Sequence, residues 1–228
     1  MAKVTTKNEN TPPANQQEEE CRRPRAYNMG RRQASLDETR SRVLEAAREL
    51  ILGEGPQKAF TMDAVAARAG VARMTVYLRF NSKNGLLEEL FDEVGTRGRL
   101  MERIPAAFAK PDPLEALRSY IEIFCDFWGD ERVLNRRLRG FAALDEEFAA
   151  TIASRYERRH FAIENLLRRL RANETATPPT TPQELVQTLL ALTSFEFYDV
   201  FAEERTPAEV APLIFQLVLS ALNLQKAQ

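Results

Sequence analysis

The chain has 228 residues, 44% of them apolar and 29% charged, with a formal net charge of −1, which is enough to bury a real core as one large domain or two small ones. No run of about 18 apolar residues occurs and the first residues hold no apolar segment of the signal-peptide kind, so the expectation is a soluble cytoplasmic protein with no membrane partner. Cys21 and Cys125 lie in a polar tail and an apolar helix and make no disulfide framework.

In chain order, the first 30 residues are polar, contain proline and are nearly free of large aliphatic side chains, so burial does not offset their ordering entropy. Residues 1–32 are therefore expected to be a disordered basic arm. Arg22, Arg23, Arg25, Arg31 and Arg32 admit two readings: an arm that reaches into a DNA minor groove, or a solvated linker. Ser35-Leu-Asp-Glu38 has the pattern of a capping box, which predicts a helix over 36–52. Two short helices follow, 62–69 and 73–79, joined by a turn at Gly70. Val65, Ala66 and Ala69 face inward, Gly70 supplies the permissive backbone, and Met74, Val76, Tyr77 and Phe80 resume the pattern, with core packing the reading for Val76 and Phe80. That arrangement is a helix-turn-helix, whose second helix enters a DNA major groove. Further helices are predicted over 83–104, 113–129, 131–143, 145–171, 183–203 and 207–225. Three of them have caps: Asp112 with Pro113, Thr181-Pro-Gln-Glu184 and Thr206-Pro-Ala-Glu209. About nine helices and no credible strand make the fold all-α.

Charge is distributed unevenly. Residues 21–87 carry 13 basic and 6 acidic side chains, net +7, whereas residues 88–228 carry 17 and 23, net −6. Phosphate neutralisation needs local rather than total positive charge, so this asymmetry favours nucleic-acid binding. Thr61 is expected to cap the second helix beside a phosphate. Arg73, Met74 and Thr75 open the recognition helix, where base edges are met, and Arg73 has the fork that matches a guanine. The alternative for Arg73 and Lys83 is solvated surface charge.

Taken in order, AARELILGEG, FTMDAVAARAGVARMTVYLRF and NSKNGLL resemble the N-terminal domain of TetR-family transcriptional repressors over residues 36–94. The resemblance implies a three-helix DNA-binding domain at 33–84 and a helical ligand-binding and dimerisation domain at 85–228. It also implies phosphate contacts from Tyr77 and Lys83. Two departures bear on which bases are touched: Ala72 stands where the family often has a small hydroxyl residue, and Leu78 where it often has an aromatic residue or His. The central helices of such proteins enclose a small-molecule pocket, and their last two helices pair with a second subunit. On this basis Phe124, Trp128, Phe141, Phe148 and Tyr156 are the expected pocket residues, suited to an apolar or aromatic effector, although an aromatic stripe alone is equally plain core. Leu185, Leu189, Leu192, Phe195, Leu213, Leu217 and Leu219 are more apolar surface than one helical layer needs, which points to a homodimer.

The expected function is a repressor that binds a double-stranded DNA operator and is released by a small molecule. The alternatives are an effector-independent architectural or adaptor protein and an all-α enzyme. Against an enzyme stand the lack of a Gly-rich phosphate loop, a metal-ligand cluster or a nucleophile elbow. No cofactor is expected. The lone His160, after RYERR, is expected on a helix flank. Arg132, Arg136, Arg137 and Arg139 are expected on a solvated helix face, with capture of an acidic ligand as the alternative.

Overall fold

The computed structural model describes Met1 and residues 29–53, 60–172 and 181–223. Among these residues there are eleven α-helices and no strand: α1 (Met29–Leu52), α2 (Met62–Ala69), α3 (Arg73–Phe80), α4 (Lys83–Arg97), α5 (Leu100–Phe108), α6 (Pro113–Asp130), α7 (Arg132–Ala142), α8 (Glu146–Ala172), α9 (Pro182–Leu192), α10 (Phe195–Phe201) and α11 (Pro207–Ala221). Contacts divide the chain into residues 1–38 and 39–228. The expected arm lies outside the described residues, apart from Met1 and the first turn of α1.

Three boundaries differ from expectation, each for a local reason. The first helix starts at Met29, which places Ser35–Glu38 inside α1 rather than at its cap. Apart from Gly30 in its first turn, the residues ahead of Ser35, Arg31 to Ala34, are good helix formers that do not stop the helix. The single helix expected over 83–104 is broken: Gly98 ends α4, and Arg99 takes a left-handed backbone with φ 52° before α5. A Cβ on Gly98 would lie 2.7 Å from Phe127 Cδ2, so the corner seats against α6 where only glycine fits. The helix expected over 183–203 is also two. Ser194 interrupts it, its hydroxyl accepting from the Phe197 N–H at 3.1 Å to cap α10.

The other starts follow their caps. Asp112 accepts from the Leu114 N–H at 2.9 Å with Pro113 in the first turn, and Asp145 accepts from the Phe148 N–H at 3.0 Å at the head of α8. Glu184 and Glu209 each accept from the backbone N–H of Thr181 and Thr206 respectively, at 2.7 and 2.8 Å.

Helix α6 is the hub, packing against α5, α7, α8, α10 and α11. Its buried residues include Leu117, Tyr120, Ile121, Phe124, Phe127 and Trp128. Cys125 is buried in the same helix; burial, then the charges of Asp126 and Glu122, push its thiol up to about 12, so at neutral pH it is a packing group rather than a nucleophile.

The four arginines expected on a solvated face of α7 are instead tied down. Arg132 donates to Asp199 Oδ1 at 2.6 Å, and Arg136 engages the other carboxylate oxygen of the same residue. Arg137 donates to the carbonyls of Ile51 and Gly53 and so caps the end of α1. Arg139 pairs with Glu196. Their spacing on α7 aims them at two helices, α10 and the end of α1, which periodicity in one sequence segment does not register.

Candidate nucleic-acid interface and effector cavity

The helix-turn-helix is built on a small apolar cluster. Val43, Leu44, Ala47 and Ile51 of α1, Phe60 just ahead of α2, Val65 and Ala66 of α2, Val76 and Phe80 of α3, and Leu86 and Leu90 of α4 are all buried. The Thr61 hydroxyl accepts from the Ala64 N–H at 3.1 Å and fixes the start of α2. At its end Gly70 has φ 65°, its N–H donating to the Ala67 carbonyl while that of Val71 donates to the Ala66 carbonyl. This pair of bonds is a Schellman closure. Space does not demand glycine here, since nothing lies within 4 Å of an added Cβ; the left-handed backbone does.

Helix α3 enters without a side-chain cap, because Ala72 has no hydroxyl to offer. Val76 and Phe80 anchor it, which turns the opposite face outward: Met74 is 66% exposed and Leu78 77%. Thr75 and Tyr77 are half-buried. The Arg73 guanidinium is exposed and held at a fixed place, its Nε 2.8 Å from Asp63 and its Cζ 5.2 Å from the Tyr77 ring centre. The bond to the Tyr77 hydroxyl, followed by the charge of Asp63, holds Arg73 protonated more firmly than usual. Lys83 opens α4 and is half-buried, with its Nζ 5.5 Å from the Phe60 ring centre and 5.1 Å from that of Phe141. It therefore packs against aromatic faces as well as carrying charge at a helix start.

The joint between α3 and α4 is tight. Ser82 accepts from the Gly85 N–H at 3.0 Å, and a Cβ on Gly85 would stand 2.2 Å from the Phe80 carbonyl oxygen. Gly85→Ala is expected to force the end of α3 away from α4 and destabilise the fold by about 1–3 kcal/mol. A thermal melt checks this, and an unchanged midpoint would show that the joint yields freely.

A cavity of about 430 Å³ opens between α4, α5, α6 and α8, with Arg139 of α7 at its edge. Of the expected pocket residues, Phe124, Trp128 and Tyr156 line it. Phe141 and Phe148 do not. The Phe141 ring centre lies 5.5 Å from that of Phe60, under Lys83, and Phe148 is fully enclosed in core. Both belong to helices on the aromatic stripe, but their faces turn toward α1–α4 and the interior rather than the cavity.

Among the lining residues absent from the expected set, the charged ones are Arg139, Arg155, Arg158, Arg159 and Asp92. Arg155 and Asp92 pair at 2.7 Å. The Arg159 guanidinium lies 4.3 Å from the Phe124 ring centre, and its Nη2 donates to the carbonyl and hydroxyl oxygens of Thr193, both at 2.8 Å. The break between α9 and α10 sets that carbonyl free, and the Trp128 indole N–H donates to it as well, at 3.2 Å. For Arg155, Arg158 and Arg159 the sequence signal was the RYERR run, whose helical spacing puts them on neighbouring positions, and for Arg139 it was the arginine run of α7, with capture of an acidic ligand as its alternative reading. His160, next in line, is exposed. No cluster of His, Cys, Asp or Glu among the described residues suits a metal ion, and no helix there is long and apolar enough to cross a membrane.

Residues 43–90 match the model of the bacterial regulatory proteins of the tetR family, and the matched segment is the helix-turn-helix with its flanking helices. Over that segment, which is less than half of its length, the chain is similar to TetR-family regulators. Over 55 residues it is 42% identical to the HTH-type transcriptional regulator SrpR of Pseudomonas putida, a stretch that makes up 24% of this chain and 25% of that one. The chain thus matches a quarter of this curated relative's length. Beyond the TetR domain the likeness is one of fold. The transcriptional regulator FadR of Bacillus subtilis, solved in complex with stearoyl-CoA, superposes with a TM-score of 0.66 at 18% identity, covering 79% of this chain and 98% of its own. NalD, the secondary repressor of the MexAB-OprM multidrug efflux pump in Pseudomonas aeruginosa, does so with a TM-score of 0.60 at 22% identity, covering 82% and 96%. These are regulators rather than enzymes.

Proposed function

We propose that the chain is a dimeric, cytoplasmic, sequence-specific DNA-binding transcription regulator, a repressor released from its operator by a small molecule held in the α4–α8 cavity. Residues 33–84 are the reading head and residues 85–228 the effector and dimerisation part. The observation that carries the reading is α3: its apolar side is anchored by Val76 and Phe80 while Arg73, Met74 and Leu78 stand exposed along the outward face. An α-helix presented in this way fits the major groove. Genome-wide capture of bound sites, followed by anisotropy titration of a captured duplex, tests it; a chain with no preferred site at any salt concentration would refute it.

The effector step is supported by position. The walls of the cavity include Phe91, Asp92 and Gly95 of α4, the helix joined to α3 through the tight Ser82–Gly85 turn. A ligand that binds better when α4 is displaced would shift the reading heads, and coupling of this kind is typically about 1–3 kcal/mol.

For the dimer, the apolar surface splits in two. Leu185, Leu189, Phe195 and Leu219 are buried within the chain and Leu192 partly so, whereas Leu213, Leu217 and Val200 remain exposed. Leu213 and Leu217 are one helical turn apart on α11, and they are the residues we assign to the subunit contact. A chain with both leucines changed to glutamate is expected to sediment at half the mass of the wild type. Unchanged sedimentation would move the contact elsewhere.

A further inference from the structure

Resting on the reading of the cavity as an effector site, we infer that its ligand is an amphipathic anion, an apolar body carrying one negatively charged head, and that Arg159, assisted by Arg139, receives that head. The lining sets four arginines against one aspartate, and that aspartate is engaged by Arg155. Arg159 has no carboxylate partner among the described residues. Its bonds run to the neutral oxygens of Thr193 and to the Tyr120 hydroxyl at 3.4 Å, and its Nη1 is buried without a hydrogen-bond partner. Arg139 pairs with Glu196, yet its Nε is likewise buried and unpartnered. A buried donor left unmade is unfavourable, more so on a charged group, and an anion placed between such donors satisfies both the hydrogen bonds and the charge.

The surroundings determine the rest of the ligand. Phe91, Leu100, Ile104, Phe124, Phe127 and Trp128 make the remaining wall apolar, so a small free inorganic anion would leave most of it without a partner. Aromatic faces hold the guanidiniums in place: Arg159 Cζ stands 5.8 Å from the Trp128 ring centre and 5.4 Å from that of Tyr156, and Arg139 Cζ 5.0 Å from that of Phe195. Donors fixed in this way bind an incoming head with little further ordering. A carboxylate and a phosphate monoester offer the same chemistry to them.

Trp128 is the only tryptophan of the chain and lines the cavity, so its fluorescence reports occupancy. The intact protein is titrated with decanoate, decyl phosphate, decan-1-ol and decyltrimethylammonium, each below its micelle concentration, with calorimetry in parallel. Either anion is expected to bind at least about tenfold more tightly than decan-1-ol, and the cation most weakly. The preferred anion identifies the head as carboxylate or phosphate. In Arg159→Gln the advantage of the anion over the alcohol is expected to fall toward unity, and in Arg139→Gln to shrink. Because Arg159 also holds Thr193, that variant is open to misfolding, and the ratio of anion to alcohol on the wild-type protein then decides alone. Equal binding of alcohol and anion would overturn the anion inference and leave the effector cavity standing. Failure of all four probes to bind would remove both.

Discussion

Arg73→Ala is expected to weaken binding to the captured operator by about 5- to 150-fold, the range that corresponds to about 1–3 kcal/mol for one bidentate base contact. The loss should be concentrated at one base step, so that duplexes altered at that step bind wild type and variant alike. The structure gives the reason for a large effect. Arg73 is already extended from the start of α3 and braced by Asp63 and Tyr77, so little side-chain freedom remains to be lost on docking. Lys83 provides the contrast. Because its Nζ stands over the rings of Phe60 and Phe141, Lys83→Met is the informative change, keeping an unbranched side chain against the rings and removing the charge. It should weaken all duplexes about equally and reduce the salt dependence by about one phosphate's worth. Anisotropy titrations at several salt concentrations separate the two patterns, and an Arg73→Ala chain with wild-type affinity would take α3 out of the groove.

Glu131→Ala should lower stability by about 2–4 kcal/mol, because it leaves a guanidinium taken from water with no counter-charge. Glu131 accepts from both Nη atoms of Arg48, at 2.7 and 2.6 Å, with side chains only 10% and 17% exposed. For a chain of this length the midpoint should fall by about 5–15 °C in a calorimetric scan. The double change Arg48→Met with Glu131→Leu should recover most of the loss, since the penalty comes from the unpaired charge rather than from the missing bridge. A midpoint for Glu131→Ala within a degree of wild type would mean that the pair is solvated. This pair joins the C-terminal part of α1 to the head of α7, and Arg137 adds a cap on the end of α1 from the same helix. Helix α7 is thus the brace between the first helix of the reading head and the helices around the cavity.

How far each feature was legible depended on how local its cause is. The helix-turn-helix was readable because its determinants sit within twenty residues: Thr61 caps, Gly70 turns, and Val76 and Phe80 anchor. Three of the five expected cavity residues line the cavity for a similar reason, since Phe124 and Trp128 share one face of α6 at helical spacing and Tyr156 faces them from α8. Phe141 and Phe148 carry the same signal and go elsewhere, because aromatic spacing gives the face of a helix but not the neighbour that face meets. The breaks at Gly98–Arg99 and Thr193–Ser194 escaped notice for a related reason: both halves of each segment are good helix, and the interruption is imposed by Phe127 in one case and supported by the Ser194 cap in the other.

The sequence alone determined the all-α class, the helix caps at Asp112, Thr181 and Thr206, the helix-turn-helix and the segregation of positive charge toward it, because each is written within a short stretch of the chain. Tertiary structure alone decided where the arginines go. Arg132, Arg136 and Arg137 clamp distant helices, and Arg159 reaches a carbonyl 34 residues away across the cavity wall. A long charged side chain is equally compatible with water, a carboxylate, a backbone oxygen or a ligand, and only the packing of other helices around it selects among them.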